Sequence, residues 1–237
     1  MLGAILPPWA HDGGTEATLA HLSDPASRAR LRAQMTDPAP CDWDNFWRWH
    51  GPDGIVIADI PSGRHPEWLG LRLTEVAQAW GKDPLEAALD LLLEERLGVA
   101  MISFSQDEAV VERLLALGFV NACTDGLLGG RPHPRAYGTY PRLLGRYVRE
   151  RRTVSLEEMV RKMTSQAAAA LGFRETGLVK EGFRANLVVF DPATVADRAT
   201  FEDSVQYPVG IRDVVVGGAL AVRDGELTGV RTGKMVR

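Results

Sequence analysis

DPLEAALDLLLEERLGVAMISFSQDEAVVERLLALGFVNACTDG, residues 83–126, carries the alternation that decides the fold. Asp83 supplies an N-cap, Pro84 the first helical position and Glu86 an acidic side chain three residues after the cap. Leu85, Leu89, Leu92 and Leu93 recur on one face, and Gly98 ends the helix. Val99–Phe104 (VAMISF) reads as a strand, Asp107–Leu117 as a helix stopped by Gly118, and Phe119–Thr124 (FVNACT) as another strand. That order predicts an α/β protein whose parallel strands are joined by helical crossovers.

Upstream, Ile55–Ile60 (IVIADI) reads as a strand and Thr74–Trp80 as a short helix stopped by Gly81. Residues 7–54 are rich in Pro, Gly, Asp and Trp, with a helical stretch from Thr15 to Met35 interrupted at Ser23-Asp24-Pro25. The aromatic cluster Cys41–His50 (CDWDNFWRWH) reads as buried anchors of a lid or inserted subdomain rather than an exposed stacking platform. Met1–Ala10 reads as the tail of a strand running into a loop. Downstream of residue 126 comes a Gly/Pro-rich loop, then a helix over Pro141–Arg151 and a helix opened by the capping box Ser155-Leu156-Glu157-Glu158. After residue 175 the texture turns to short strands, Asn186–Asp191 and Ile211–Leu227, the second bent at Gly217-Gly218 and turned at Asp224-Gly225.

With 45% hydrophobic and 24% charged residues among 237, the chain is an ordinary folding sequence. Its net charge of −4 offers no basic field for nucleic acid or an anionic membrane. No apolar run approaches the ~20 residues of a membrane span, and Met1–Ala10 lacks the basic and apolar regions of a signal peptide. Two cysteines, Cys41 and Cys123, make no disulfide framework, so the expected setting is the cytoplasm.

Asp125 is the most informative residue. It follows a predicted strand and opens a Gly-rich loop, which places it where α/β barrels carry their active sites. An Asp there can act as general base towards water or ligate a metal; the plainer alternative is an Asp that shapes the turn through its own backbone amides. Within reach lie His133, Arg135 and Tyr137, and an Arg fork suits a substrate carboxylate, although a surface Arg is the commoner case. The five histidines form neither H-x-H nor H-x-x-x-H, and no complete metal site is legible. Cys123, two residues before Asp125 and on the same side of the expected strand, reads as a small hydrophobe. The absence of G-x-x-x-x-G-K-[ST] and G-x-S-x-G removes P-loop and serine-hydrolase readings.

Six segments, in order, resemble one family: LPPWAHDGG (Leu6–Gly14), GKDPLEAALDLLLEE (Gly81–Glu95), TDG (Thr124–Gly126), HPRAYGTYPRLLGRYVRE (His133–Glu150), SLEEMVRKMTSQAAAALG (Ser155–Gly172) and GLVKEGFRANLVVFDPATVADRATFED (Gly177–Asp203). They are similar to the C-terminal half of N-acyl-D-amino-acid deacylases, the D-aminoacylases of the amidohydrolase superfamily. The resemblance implies the C-terminal part of a (β/α)8 barrel over residues 1–175, with an inserted lid-like subdomain over about 15–75. Residues 176–237 would then form part of a small β-sandwich. It also implies hydrolysis of the amide of an N-acyl-D-amino acid by zinc-activated water, with Asp125 as general base and acid and as a candidate zinc ligand. His133, Arg135 and Tyr137 would line the substrate site, Arg135 meeting the α-carboxylate.

The family's H-x-H pair, its metal-ligating Cys or Lys and its later histidines have no match here, and Asn186 stands where the family usually has Asp. A whole barrel takes about 250 residues. The expectation is therefore a C-terminal fragment, inactive alone, whose partner is the missing N-terminal half. The alternatives are a non-catalytic remnant or partner subunit acting as a binding module, or a related amidohydrolase of the dihydroorotase or hydantoinase kind.

Overall fold

The computed structural model describes residues 1–234 and divides the chain into two units, Met1–Gln106 with Leu128–His133, and Asp107–Leu127 with Pro134–Arg237. The first unit opens with two short 3-10 turns, Leu2–Ile5 and Pro8–His11, and not with the strand tail that Met1–Ala10 suggested. The Leu2 N–H to Val99 carbonyl bond, at 2.8 Å, ties this end to the neighbourhood of a strand. Helices α1 (Gly14–Ser23) and α2 (Pro25–Thr36) follow, split where Asp24 caps the second by accepting the Ser27 N–H. Next come α3 (Phe46–His50), strand β1 (Ile55–Asp59), α4 (Leu73–Trp80), α5 (Pro84–Glu94) and strand β2 (Ala100–Ser103).

The core of this unit gathers Leu2, Ile5, Leu22, Leu31, Ile57, Leu89 and Leu92, each fully buried. Trp43, Phe46 and Trp47 pack against it as anchors, while Trp49 stays 52% exposed. Strands β1 and β2 pair antiparallel, Ile55 opposite Ser103 and Ile57 opposite Met101. The reason is a count of reversals. A single crossover helix makes two reversals and returns the chain parallel, but α4 and α5, joined by Gly81-Lys82-Asp83, make three, so β2 runs against β1.

Charged side chains clamp α2 to α5. Arg28 reaches Glu86 at 3.0 Å and Asp90 at 2.5 Å, and Lys82 reaches Asp90 at 2.6 Å. Burial alone would raise the Asp90 carboxyl, but the hydrogen bonds from Lys82 and Arg28 outweigh it and hold the group below its ordinary value. A carboxylate depressed in the folded state adds stability above its unfolded pKa, near 3.9 for Asp, and that contribution disappears as pH falls through the folded value. Urea unfolding between about pH 6 and about pH 3 should therefore show a steep acid limb in the native chain and a shallower one in Asp90→Asn. Equal limbs would refute the assignment.

The second unit comprises α6 (Glu108–Ala116), α7 (Arg135–Arg142), a π-helical stretch Leu143–Glu150, α8 (Leu156–Met163), α9 (Ser165–Ala170) and strands β3 (Leu187–Phe190), β4 (Ile211–Val216), β5 (Ala219–Arg223) and β6 (Glu226–Leu227). The four strands form one antiparallel sheet in the order β3-β4-β5-β6. The β5–β6 turn falls at Asp224-Gly225, both with positive φ (48° and 84°), as the sequence suggests. Met159, Leu143, Leu144, Tyr147 and Val195 form the core.

Two readings of this unit need correction. The stretch from Arg135 is helical, not part of the loop, and Pro141 sits inside that helix. Proline donates no N–H, so the α-helical ladder is broken there and the wider turn of Leu143–Glu150 follows. Phe119–Thr124 pairs with no strand among the described residues. A strand needs a neighbour for its backbone groups, and here Phe119 is 80% exposed. Cys123 is exposed too, not the buried small hydrophobe expected.

Candidate active-site loop

Thr124-Asp125-Gly126 runs against the first turn of α7. The Thr124 hydroxyl donates to the Arg135 carbonyl at 3.2 Å and accepts the Gly126 N–H at 3.1 Å. Gly126 is required by close approach, since a Cβ there would stand 2.7 Å from Ala136 Cα. The backbone of the loop is thus laid directly on the helix start.

That placement brings two of the candidate residues together. Arg135 Nε lies 3.1 Å from Asp125 Oδ1, with the Asp125 side chain 80% exposed. An ion pair so open to water contributes about 0–1 kcal/mol, so the contact orients the two groups more than it stabilises the unit. Tyr137, two residues further along α7, packs edge-on against Tyr207 with ring centres 6.2 Å apart. His133 is half-buried and belongs to the first unit, with Leu128–His133. There Arg131 N–H bonds the Ala58 carbonyl at 2.8 Å, and Gly130 lies so close to Ala58 and Asp59 that a Cβ would clash.

A metal does not fit the residues present. Among the described residues no three or more His, Cys, Asp and Glu side chains converge to hold one. Three histidines of the first unit are engaged elsewhere. His11 meets the Gly3 carbonyl at 3.2 Å, and His65 stacks on Trp68 at 3.8 Å. His50 Nδ1 faces the Gly51 carbonyl at 2.9 Å, which leaves Nε2 to accept from the Ser103 hydroxyl at 2.7 Å. Asp125 is a lone carboxylate facing a guanidinium.

One residue escaped the sequence reading. Lys162 is fully buried beside the segment that leads to Asp125, its amine donating to the Leu117 carbonyl and, at 3.0 Å, to the Val120 carbonyl. Its signal was a lysine three residues after Met159, on the helix face where spacing asks for an apolar side chain.

The model of the amidohydrolase family matches residues 71–222. A D-aminoacylase of Alcaligenes xylosoxydans xylosoxydans is 41% identical over 172 residues, 72% of this chain and 34% of that protein. An N-acyl-D-glutamate deacylase of the same organism is 38% identical over 220 residues, 88% of this chain and 42% of that protein. Among solved structures, a D-aminoacylase superposes with a TM-score of 0.68 at 34% identity, over 95% of this chain and 46% of that one. An N-acyl-D-glutamate deacylase from Bordetella bronchiseptica, solved with zinc and a phosphonate mimic of the reaction's tetrahedral intermediate, gives 0.67 at 35% identity, over 94% and 47%. The chain spans between about a third and a half of the length of the relatives it matches.

Proposed function

This chain belongs to the amidohydrolase family and has its α/β fold, and on that premise we propose that it is the C-terminal portion of a cytoplasmic deacylase of N-acyl-D-amino acids. The carrying observation is the nature of its relatives: those matched along most of this chain are deacylases of that substrate class. In this reading residues 1–175 are barrel, with an inserted lid-like subdomain near 15–75, and residues 176–237 are part of a β-sandwich.

Asp125 is the proton carrier. Its carboxylate takes a proton from the water whose oxygen adds to the amide carbonyl carbon. It returns that proton to the nitrogen as the C–N bond breaks, giving a carboxylate and a free D-amino acid. Arg135 holds the substrate's α-carboxylate. Arginine has five N–H donors, so an ion pair through Nε to Asp125 is compatible with a second carboxylate, and it ties the substrate anchor to the proton carrier. Tyr137, on the same helix as Arg135, lines the substrate site beside it.

Zinc, present in the Bordetella bronchiseptica relative, has no ligand set among the described residues; a catalytic zinc takes three protein ligands, which a further segment would have to bring. Exposed apolar side chains support such a partner. Phe119, Leu127 and Val179 of the second unit are 80%, 75% and 89% exposed, as befits surface that another part of the enzyme covers.

The test is to assemble this chain with an N-terminal half taken from a full-length relative and to follow D-amino acid release from N-acyl-D and N-acyl-L substrates. Release from the D series alone is expected; an assembled but inactive complex would refute the reading. In that assembly Arg135→Ala should raise KM about tenfold or more with a smaller change in kcat, since a charged hydrogen bond is worth about 1.5–3 kcal/mol. An unchanged KM would remove Arg135 from the substrate site.

A further inference from the structure

Between α6 and the TDG loop the chain has no strand partner among the described residues, yet it is not loose. Three carbonyls of its first turn are held from α8: Leu117 and Val120 by the Lys162 amine, and Gly118 by Arg161 at 2.8 Å. The Lys162 carbonyl in turn accepts the Ala122 N–H at 3.3 Å, three residues before Asp125. Lys162 has no solvent exposure at all, and the Glu158 carboxylate stands 3.7 Å from its amine. Burying a cation is expensive unless hydrogen bonds and charge replace the lost water, and here the replacements are the carbonyls of one short segment.

We propose that Lys162 is the positioning residue of the Asp125 loop. Its amine fixes the Leu117–Val120 turn from inside the second unit while its backbone fixes Ala122. Together with the Thr124–Arg135 bond ahead, they hold Asp125 in place without a sheet. The catalytic meaning of this role rests on the reading of Asp125 given above, but the mechanical role does not.

The experiment uses the whole 237-residue chain and reads hydrogen exchange over residues 117–124 against α7 and α8. Lys162→Met and Lys162→Ala should speed exchange in 117–124 by roughly tenfold or more while α7 and α8 stay near their native protection. Met159→Ala, a core truncation in the same helix, should instead lower protection throughout the unit. In Lys162→Ala the missing atoms are those of propylammonium. Added propylammonium should restore protection of 117–124, and 1-propanol at the same concentration should not. Uniform loss of protection, loss of the unit's fold in both variants, or equal rescue by 1-propanol would each overturn the proposal. Asp125→Asn kinetics test the catalytic reading separately, so the two can fail independently.

Discussion

Asp125→Asn should lower kcat of the assembled deacylase by about 10²–10⁴-fold, the usual share of a general acid–base group. Asparagine keeps the size and the hydrogen-bonding outline of the side chain but carries no proton between water and leaving nitrogen. The ion pair with Arg135 disappears too, but at a contact this exposed the unit should lose no more than about 1 kcal/mol. Folding and loss of turnover are therefore expected to separate: a native-like unfolding midpoint beside a collapsed kcat. A variant with near-native kcat would reduce Asp125 to a residue that shapes its turn. An equal fall in midpoint and activity would make it structural.

The second large effect concerns the chain by itself. With zinc and N-acetyl-D-amino acids, the purified 237-residue chain should release amino acid no faster than buffer does, and calorimetric titration with zinc should show no tight site. The argument is one of ligand number. Asp125 is a single carboxylate engaged with a cation, and no cluster of ligands stands near it or elsewhere among the described residues. Adding the N-terminal half should restore both zinc uptake and turnover. Zinc-dependent turnover by the chain alone would show that the ligands are here after all.

Much of the fold was legible because the punctuation was strong. Asp83-Pro84 and Ser155 cap their helices as written, and Asp224-Gly225 makes its turn. The parallel pairing expected of Val99–Phe104 with Phe119–Thr124 is missing because the second segment forms no strand. The two helices between Ile55–Asp59 and Ala100–Ser103 were both legible, and those strands run antiparallel. Phe119–Thr124 has a strand's composition but no neighbour, and β propensity reflects packing against a sheet more than a backbone preference.

The candidate site was legible only as types of residue. That Asp125 and Arg135 touch follows from Gly126 lying on Ala136, a contact that no periodicity encodes. Lys162 was hidden for the opposite reason. Pattern reading assigns lysine to water, and its partners are main-chain carbonyls, which leave no trace in the identity of Leu117 or Val120.

The short stretch Leu128–His133 belongs to the first unit although it lies within the sequence of the second. On a ribosome this sets an order of events. Residues 1–106 emerge well before the piece that bonds Ala58 and crowds Asp59. α6 and the apolar Phe119 must already be out, without the rest of their own unit, when that piece arrives. Domains made from one continuous stretch can close as soon as they leave the exit tunnel; this one has to wait. The nascent chain is most open to chaperones, proteases and aggregation in that interval, and a break placed between the units would cut through the first of them.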